Sequence, residues 1–199
     1  MFKNYAYQTY HSCLSFSRVS ESPVKVTSPL PDILFESEWK QLLSVASDDP
    51  RTYILVLLLL ETGIKKEELL DLKVTHFDFS NKYAPELWVK HTGKKVRKDR
   101  KLKLPVEIGQ VFDEYVQQYN IQDVLFPYTP RFLEMLLTDV AKRAKLQKRV
   151  TAGILRDTFV VRCLQRGEEI ETVLVKIGLS EATGEEAKVK YLKLAGKAI

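Results

Sequence analysis

Apolar positions along this chain fall into helical blocks, interrupted once by a short stretch with the period of a sheet. Ser37 is placed to cap a helix over 38–47. After Pro50 the nearly unbroken apolar run "YILVLLLL" at 53–60 predicts a second helix to about Glu61, with Gly63 as its C-cap. "KKEELLDL" predicts a short helix from 65 to 72. Then the period changes. "VTHFDFS" (74–80), "ELWVKH" (86–91) and "KLKLP" (101–105) alternate or are rich in strand formers, and predict three antiparallel strands. Further helices are expected at about 106–119, 130–146, 151–166, 168–177 and 181–197. Helices, then three strands, then helices make an α+β domain, mainly helical with a small three-stranded antiparallel sheet. Residues 1–30 stand apart. They are polar, aromatic and serine-rich and end in "SPLPDI", where Pro29 and Pro31 bracket a linker-like turn. The expected division is a leader over 1–30 and a folded domain over 31–199.

Composition narrows the class. The chain has 199 residues, enough for one medium domain with a real core, and 45% apolar residues with 10% aromatics, which excludes a disordered chain. Cys13 and Cys163 lie far apart with no metal-type spacing, so no metal and no other cofactor is expected, and a reducing cytoplasm is the expected compartment. The 53–60 run is too short to span a bilayer, and "MFKNYAYQTY" lacks the apolar core of a signal peptide, so no membrane partner is expected.

Charge changes the picture more than composition does. Lys plus Arg is 31 and Asp plus Glu is 26, a modest +5. Yet Lys90, Lys94, Lys95, Arg97, Lys98, Arg100, Lys101 and Lys103 face one acid, Asp99, within fourteen positions: eight cations against one acid, a local +7. A second block holds Lys142, Arg143, Lys145, Lys148, Arg149, Arg156, Arg162 and Arg166. The plain reading is a solvated hairpin tip and a charged helix face. The density of both blocks on a near-neutral chain points instead to a polyanion, most commonly a nucleic-acid backbone. A nucleic-acid backbone is the expected partner, with Lys90, Lys95, Arg97, Lys98, Arg100, Lys142 and Arg143 as contacts.

Four stretches, in order, carry a resemblance. "ETGIKKEELLDL" presents Thr62, Gly63, Ile64, Glu68, Leu69 and Leu72; the basic "HTGKKVRKDRKLKLP" ends in Pro105; "VTAGILRDTF" presents Val150, Thr151, Leu155, Arg156, Thr158 and Phe159; Gly167, Gly178 and Ser180 follow, and then Tyr191. This pattern resembles the tyrosine recombinase (phage integrase) family over about residues 30–195. The resemblance implies the fold of that family's C-terminal catalytic domain and a metal-free cut of DNA. A Tyr hydroxyl attacks the scissile phosphorus to leave a 3′-phosphotyrosyl link. Two Arg forks hold the charge on the non-bridging oxygens, and a hairpin Lys protonates the leaving 5′-oxygen. Carried over by position, Tyr191 is the nucleophile, Arg156 the second arginine, Lys65 stands at the first, and Lys94 is the hairpin lysine.

The departures matter as much. Lys65 keeps the charge of the first arginine but not its bidentate fork. Gly153, Asp157 and Leu179 stand where the family has His, His, and His or Trp. The Leu179-to-Tyr191 spacing is longer than the family's by roughly three residues. A missing fork or acid costs about 3 kcal/mol, roughly a hundredfold in rate. Strand cleavage is therefore expected to be impaired. Two other readings stand beside an impaired recombinase. One is a catalytically dead homologue that binds DNA as a regulator. The other is a structural or protein-interaction domain on the same scaffold, with the basic blocks meeting an acidic protein; the plain readings of Tyr191 and Arg156 are a packing residue and a helix-surface arginine. Double-stranded DNA and full-length recombinase subunits are the partners the resemblance implies. Residues 1–30 hold room for about one helix of a core-binding domain, and eight residues follow Tyr191, so the isolated chain is expected to be a monomer. His11, His76 and His91 lie outside the matched stretches and read as surface or turn residues, with His91 near enough to the hairpin to be a DNA contact.

Overall fold

The structure is a computed structural model and describes residues 32–90, 99–179 and 181–196. Its elements run α1 (Glu36–Ala46), α2 (Pro50–Thr62), α3 (Lys66–Leu70), a 3-10 turn (Val74–His76), β1 (Phe77–Asp78), β2 (Glu86–Val89), β3 (Arg100–Lys103), α4 (Ile108–Gln118), α5 (Pro130–Arg143), α6 (Ala152–Gln165), α7 (Ile170–Lys176) and α8 (Glu181–Leu194). The strands form one antiparallel sheet in the order β1-β2-β3. This is the mainly helical α+β architecture that the periodicity predicts.

The most apolar helix lies at the centre. Asp49 caps α2 by accepting from the Thr52 N–H at 3.2 Å, and Pro50 occupies the first turn, where its missing N–H costs nothing. Ile54 to Leu60 are all buried, so α2 has no solvent face. It packs against α1, α4, α5 and α6. Gly63 ends it in the left-handed region at φ 57°. A Cβ there would fall 2.4 Å from Phe159 Cδ1, so glycine is needed for space as well as for φ.

Several boundaries move from expectation, α5 ending at Arg143 and α8 at Leu194 among them, and two have a clear cause. Phe35, not Ser37, is the N-cap of α1; Glu38 accepts the Phe35 N–H at 2.7 Å and starts the helix two residues earlier. The first expected strand shrinks to Phe77–Asp78 because Val74–His76 closes a 3-10 turn. Just before that turn the chain pairs with the 123–125 segment: Leu125 N–H donates to Leu72 O and Val74 N–H to Asp123 O. His76 is buried within the turn rather than exposed, and its Nδ1 accepts the Lys73 N–H. Burial, then the nearby Lys90 and Lys73, hold its pKa below the ordinary value.

Alternation then places the sheet. Leu87, Val89 and Leu102 turn inward, while Trp88 pairs with Lys101 on the outer face, the ammonium 4.3 Å from the ring centroid. A second cluster, Phe159, Val160, Cys163, Leu164, Ile170, Val173, Leu174, Ile177 and Tyr191, joins α6, α7 and α8. The candidate site lies along its edge, at the C-terminal ends of α2 and α7.

Candidate active site

Arg156 answers a question the sequence raises: why an apolar helix keeps a guanidinium. Thr151 caps α6 by accepting the Ile154 N–H at 3.2 Å, which sets the first turn. From that turn Arg156 crosses to two helix ends. Its Nη1 donates to Gly63 O at 2.5 Å, and its Nη2 donates to Ile177 O at 2.8 Å. Both carbonyls lie at helix C-termini, where orphan acceptors and the negative end of the macrodipole favour a cation. Burial lowers the Arg156 pKa, and Tyr191 and Glu68 oppose that shift. A guanidinium stays charged regardless, and it has five N–H donors, so donors remain beyond the two carbonyl bonds.

Gly153, by contrast, is exposed, and an added Cβ would meet only Thr151 Oγ1 at 3.7 Å. The helix has room for a side chain there and does not require glycine.

Asp157 is the centre of a compact polar cluster. Its side chain is only 10% exposed. Tyr191 Oη donates to Asp157 Oδ1 at 2.9 Å, and Lys190 Nζ donates to both carboxylate oxygens at 2.9 and 2.8 Å. The Tyr191 ring is buried in the α6–α7–α8 cluster. Burial, then the Asp157 charge, push the phenol well above its ordinary pKa, and the adjacent Arg156 offsets part of that rise. The hydroxyl and the second arginine thus meet in one place, with the phenolic proton held by a carboxylate.

The base of the hairpin reaches the same place. Arg100, at the start of β3, forks Glu68 with Nη1 to Oε1 at 2.9 Å and Nη2 to Oε2 at 2.8 Å. Its Nε donates to Lys176 O at 2.8 Å, the carbonyl next to the one Arg156 holds. Glu68 Oε2 also accepts the Lys65 N–H at 2.9 Å. Burial raises the Glu68 pKa, but the Arg100 fork, the Lys65 N–H and the field of Arg156 outweigh it, and the carboxyl sits below its ordinary value. A Cβ on Gly178 would come within 2.8 Å of Arg100 Nη1, so this close approach requires glycine, as does φ 69°.

The expected residues divide accordingly. Arg156, Tyr191 and the turn bearing Lys65 come together. Lys94, Lys95, Arg97 and Lys98, with His91, lie outside the described residues. Lys90 and Lys142 are exposed. Arg143 is ion-paired with Asp48 at 3.3 Å and Asp139 at 3.2 Å on the surface. Arg100, expected as a DNA contact, turns its fork inward onto Glu68 and its Nε onto Lys176 O. Sequence reasoning missed Lys190. Its signal is weak, one of three lysines spaced along α8 at 188, 190 and 193. Among the described residues, no group of three or more His, Cys, Asp or Glu could hold a metal.

Comparison with known proteins gives this geometry a context. The profile described as "Phage integrase family" matches residues 33–181. A tyrosine recombinase of Pseudothermotoga lettingae is 28% identical over 162 residues, covering 78% of this chain and 55% of the relative. The XerA recombinase of Pyrococcus furiosus is 26% identical over 194 residues, covering 88% and 64%. The chain thus spans a little over half the length of these curated relatives. Among solved structures, a XerA recombinase superposes with TM-score 0.70 at 27% identity, covering 85% of this chain and 61% of that one. The catalytic domain of bacteriophage HP1 integrase superposes with TM-score 0.57 at 21% identity, covering 84% of this chain and 98% of that domain, a likeness of fold.

Proposed function

The chain belongs to the phage integrase family of tyrosine recombinases, and we propose that it binds duplex DNA across the Arg156 pocket and the 90–103 hairpin while cleaving it feebly. Residues 31–199 form the catalytic-type domain in this reading, and 1–30 form a leader or the remnant of a core-binding domain with its linker. Arg156 receives a backbone phosphate with its remaining donors, Lys65 adds charge without a fork, and the hairpin lysines with Lys142 and Arg143 follow the backbone on either side. Were cleavage to proceed, Tyr191 Oη would give up its proton to water and bond to phosphorus as the bond to the 5′-oxygen breaks, and Lys94 would protonate that leaving oxygen.

One observation carries the impaired half of the reading: the Tyr191 hydroxyl is buried and committed to Asp157 at 2.9 Å. The carboxylate does not serve as an effective base for it. Between a phenol and a carboxylic acid at their reference acidities, about 10 and about 4, proton transfer costs about 8 kcal/mol. Among the described residues, no helix is long and apolar enough to cross a membrane.

The test is a nicked suicide duplex, which traps a phosphotyrosyl adduct, incubated with the wild-type chain and with Tyr191→Phe. The expected result is salt-sensitive duplex binding by both and an adduct that is absent or barely detectable. Adduct formation by most of the wild-type protein and none by Tyr191→Phe would refute impairment. The absence of any duplex binding at low salt would refute the DNA-binding reading and favour the interaction module.

A further inference from the structure

Charge accounting around Arg156 gives Lys190 a role beyond packing. Arg156 and the adjacent Asp157 cancel each other. Arg100 and Glu68, forked together, cancel as well. On those four residues alone the pocket is neutral and holds no net attraction for an anion. Lys190 changes the sign. Its ammonium lies on the outer side of Asp157, bonded to both oxygens at 2.9 and 2.8 Å, and 4.8 Å from the Tyr191 ring centroid. The Lys190 side chain is 36% exposed, whereas that of Asp157 is 10% exposed, so the lysine carries the pair to the surface. An ammonium has three donors, and the carboxylate takes two.

We propose that Lys190 is a DNA-phosphate contact of this site, its third N–H donated to a non-bridging oxygen of the phosphate that Arg156 holds. This rests on reading the Arg156 pocket as a phosphate site. Asp157 then acts as the positioning residue for Lys190. It holds the ammonium with two bonds before DNA arrives, so a flexible side chain is already ordered for the contact. It also explains how a buried carboxylate is tolerated beside a phosphate: the bound ammonium screens it. Lys188, on the same helix, is bonded instead to Glu171 of α7 and has no part in the cluster.

The test uses the full chain and a fluorescently labelled duplex of mixed sequence, with affinity read by anisotropy as a function of salt. Each phosphate contact contributes about 0.9 to the slope of log affinity on log salt. Lys190→Gln should lower the slope by about that amount, which shrinks the ratio of affinities at about 50 and about 200 mM salt by about 3.5-fold. Lys188→Gln should leave the slope unchanged, and Lys190→Arg should keep most of it. Because Lys190→Gln strands Asp157, the decisive variant is Lys190→Gln with Asp157→Asn. It has the wild-type net charge and no bare buried carboxylate, and it should melt close to wild type while retaining the reduced slope. A wild-type slope in that double variant, or equal slopes for Lys190→Gln and Lys188→Gln, would overturn the contact. A wild-type chain whose binding shows no salt dependence would overturn the phosphate-site reading itself, and the contact with it.

Discussion

Replacing Arg100 with Met should destabilise the domain far more than a surface position would. The Glu68 carboxylate is only 10% exposed on its side chain and Arg100 11% exposed, so the fork is an internal ion pair. Removing one member leaves a buried charge with the Lys65 N–H as its remaining named donor. Breaking a buried pair in this way costs about 3–5 kcal/mol, which for a domain of this size lowers Tm by about 6–20 °C. The pH dependence gives the cause a signature. Burial raises the Glu68 pKa, but its partners hold the folded value below the ordinary one. A depressed acid contributes stability that is present above its unfolded pKa and lost as pH falls through the folded value. In Arg100→Met burial is opposed only by the Lys65 N–H and the field of Arg156, so the folded pKa rises, and the penalty at neutral pH fades as Glu68 takes up a proton in acid. Arg100→Met with Glu68→Gln should recover most of the loss, because neither charge is then stranded. The assay is denaturant and thermal unfolding of the wild type, both single variants and the double, at neutral and acidic pH. A cost below about 1 kcal/mol for Arg100→Met, a cost that does not shrink in acid, or additivity in the double variant would refute the argument.

Three other outcomes are expected. Alanine at Lys94, Lys95, Arg97 and Lys98 together should weaken duplex binding in an anisotropy titration and reduce its salt slope by up to about 3.6, while leaving Tm within about 2 °C of wild type. Gly63→Ala should cost upwards of about 2 kcal/mol in chemical unfolding, since φ is 57° and the new Cβ would fall 2.4 Å from Phe159 Cδ1. In a Cys13→Ser background, Cys163 should react with a thiol reagent at pH 8 only as the domain opens, because burial pushes its thiol up to about 12 and leaves about one thiolate in ten thousand.

Much of this fold can be read from the sequence, because its strongest signals are local and mutually consistent. The apolar run at 53–60 is long enough that only a central helix buries it, and Gly63 marks its end without help from tertiary structure. The first strand is different. The 74–80 stretch alternates, yet the 123–125 segment captures the chain just ahead of it and a 3-10 turn takes its first half. No local pattern announces a pairing across fifty residues. The site divides in the same way. Arg156 is visible as an arginine that an apolar helix has no local use for, and Tyr191 is found by order along the chain. The partners of Arg100 are invisible in sequence, since nothing in a run of basic residues distinguishes the one that turns inward. Lys190 is hidden for the same reason.

Helical geometry accounts for Tyr191 reaching the site despite its displaced position. Leu179 and Tyr191 are twelve residues apart, roughly three more than the resemblance implies. Three residues on an α-helix advance about 4.5 Å and rotate about 300°, which leaves a side chain within about 60° of its original face. One extra residue would turn it by about 100° and two by about 200°, away from α6 in either case. An insertion close to one turn is thus the length that keeps a hydroxyl near Arg156, and the residue one turn earlier is Lys188, tied to Glu171. In this chain Tyr191 is 4% exposed and bonded to Asp157. To meet a phosphate, the phenol must leave a charged acceptor, a bond that contributes about 1.5–3 kcal/mol, and part of its ring must leave the cluster of Phe159, Val160 and Ile177. Both costs lie within α8 and its contacts, so in the proposed reading the barrier between binding DNA and cutting it is local to α8, while Arg156 stays seated on α2 and α7.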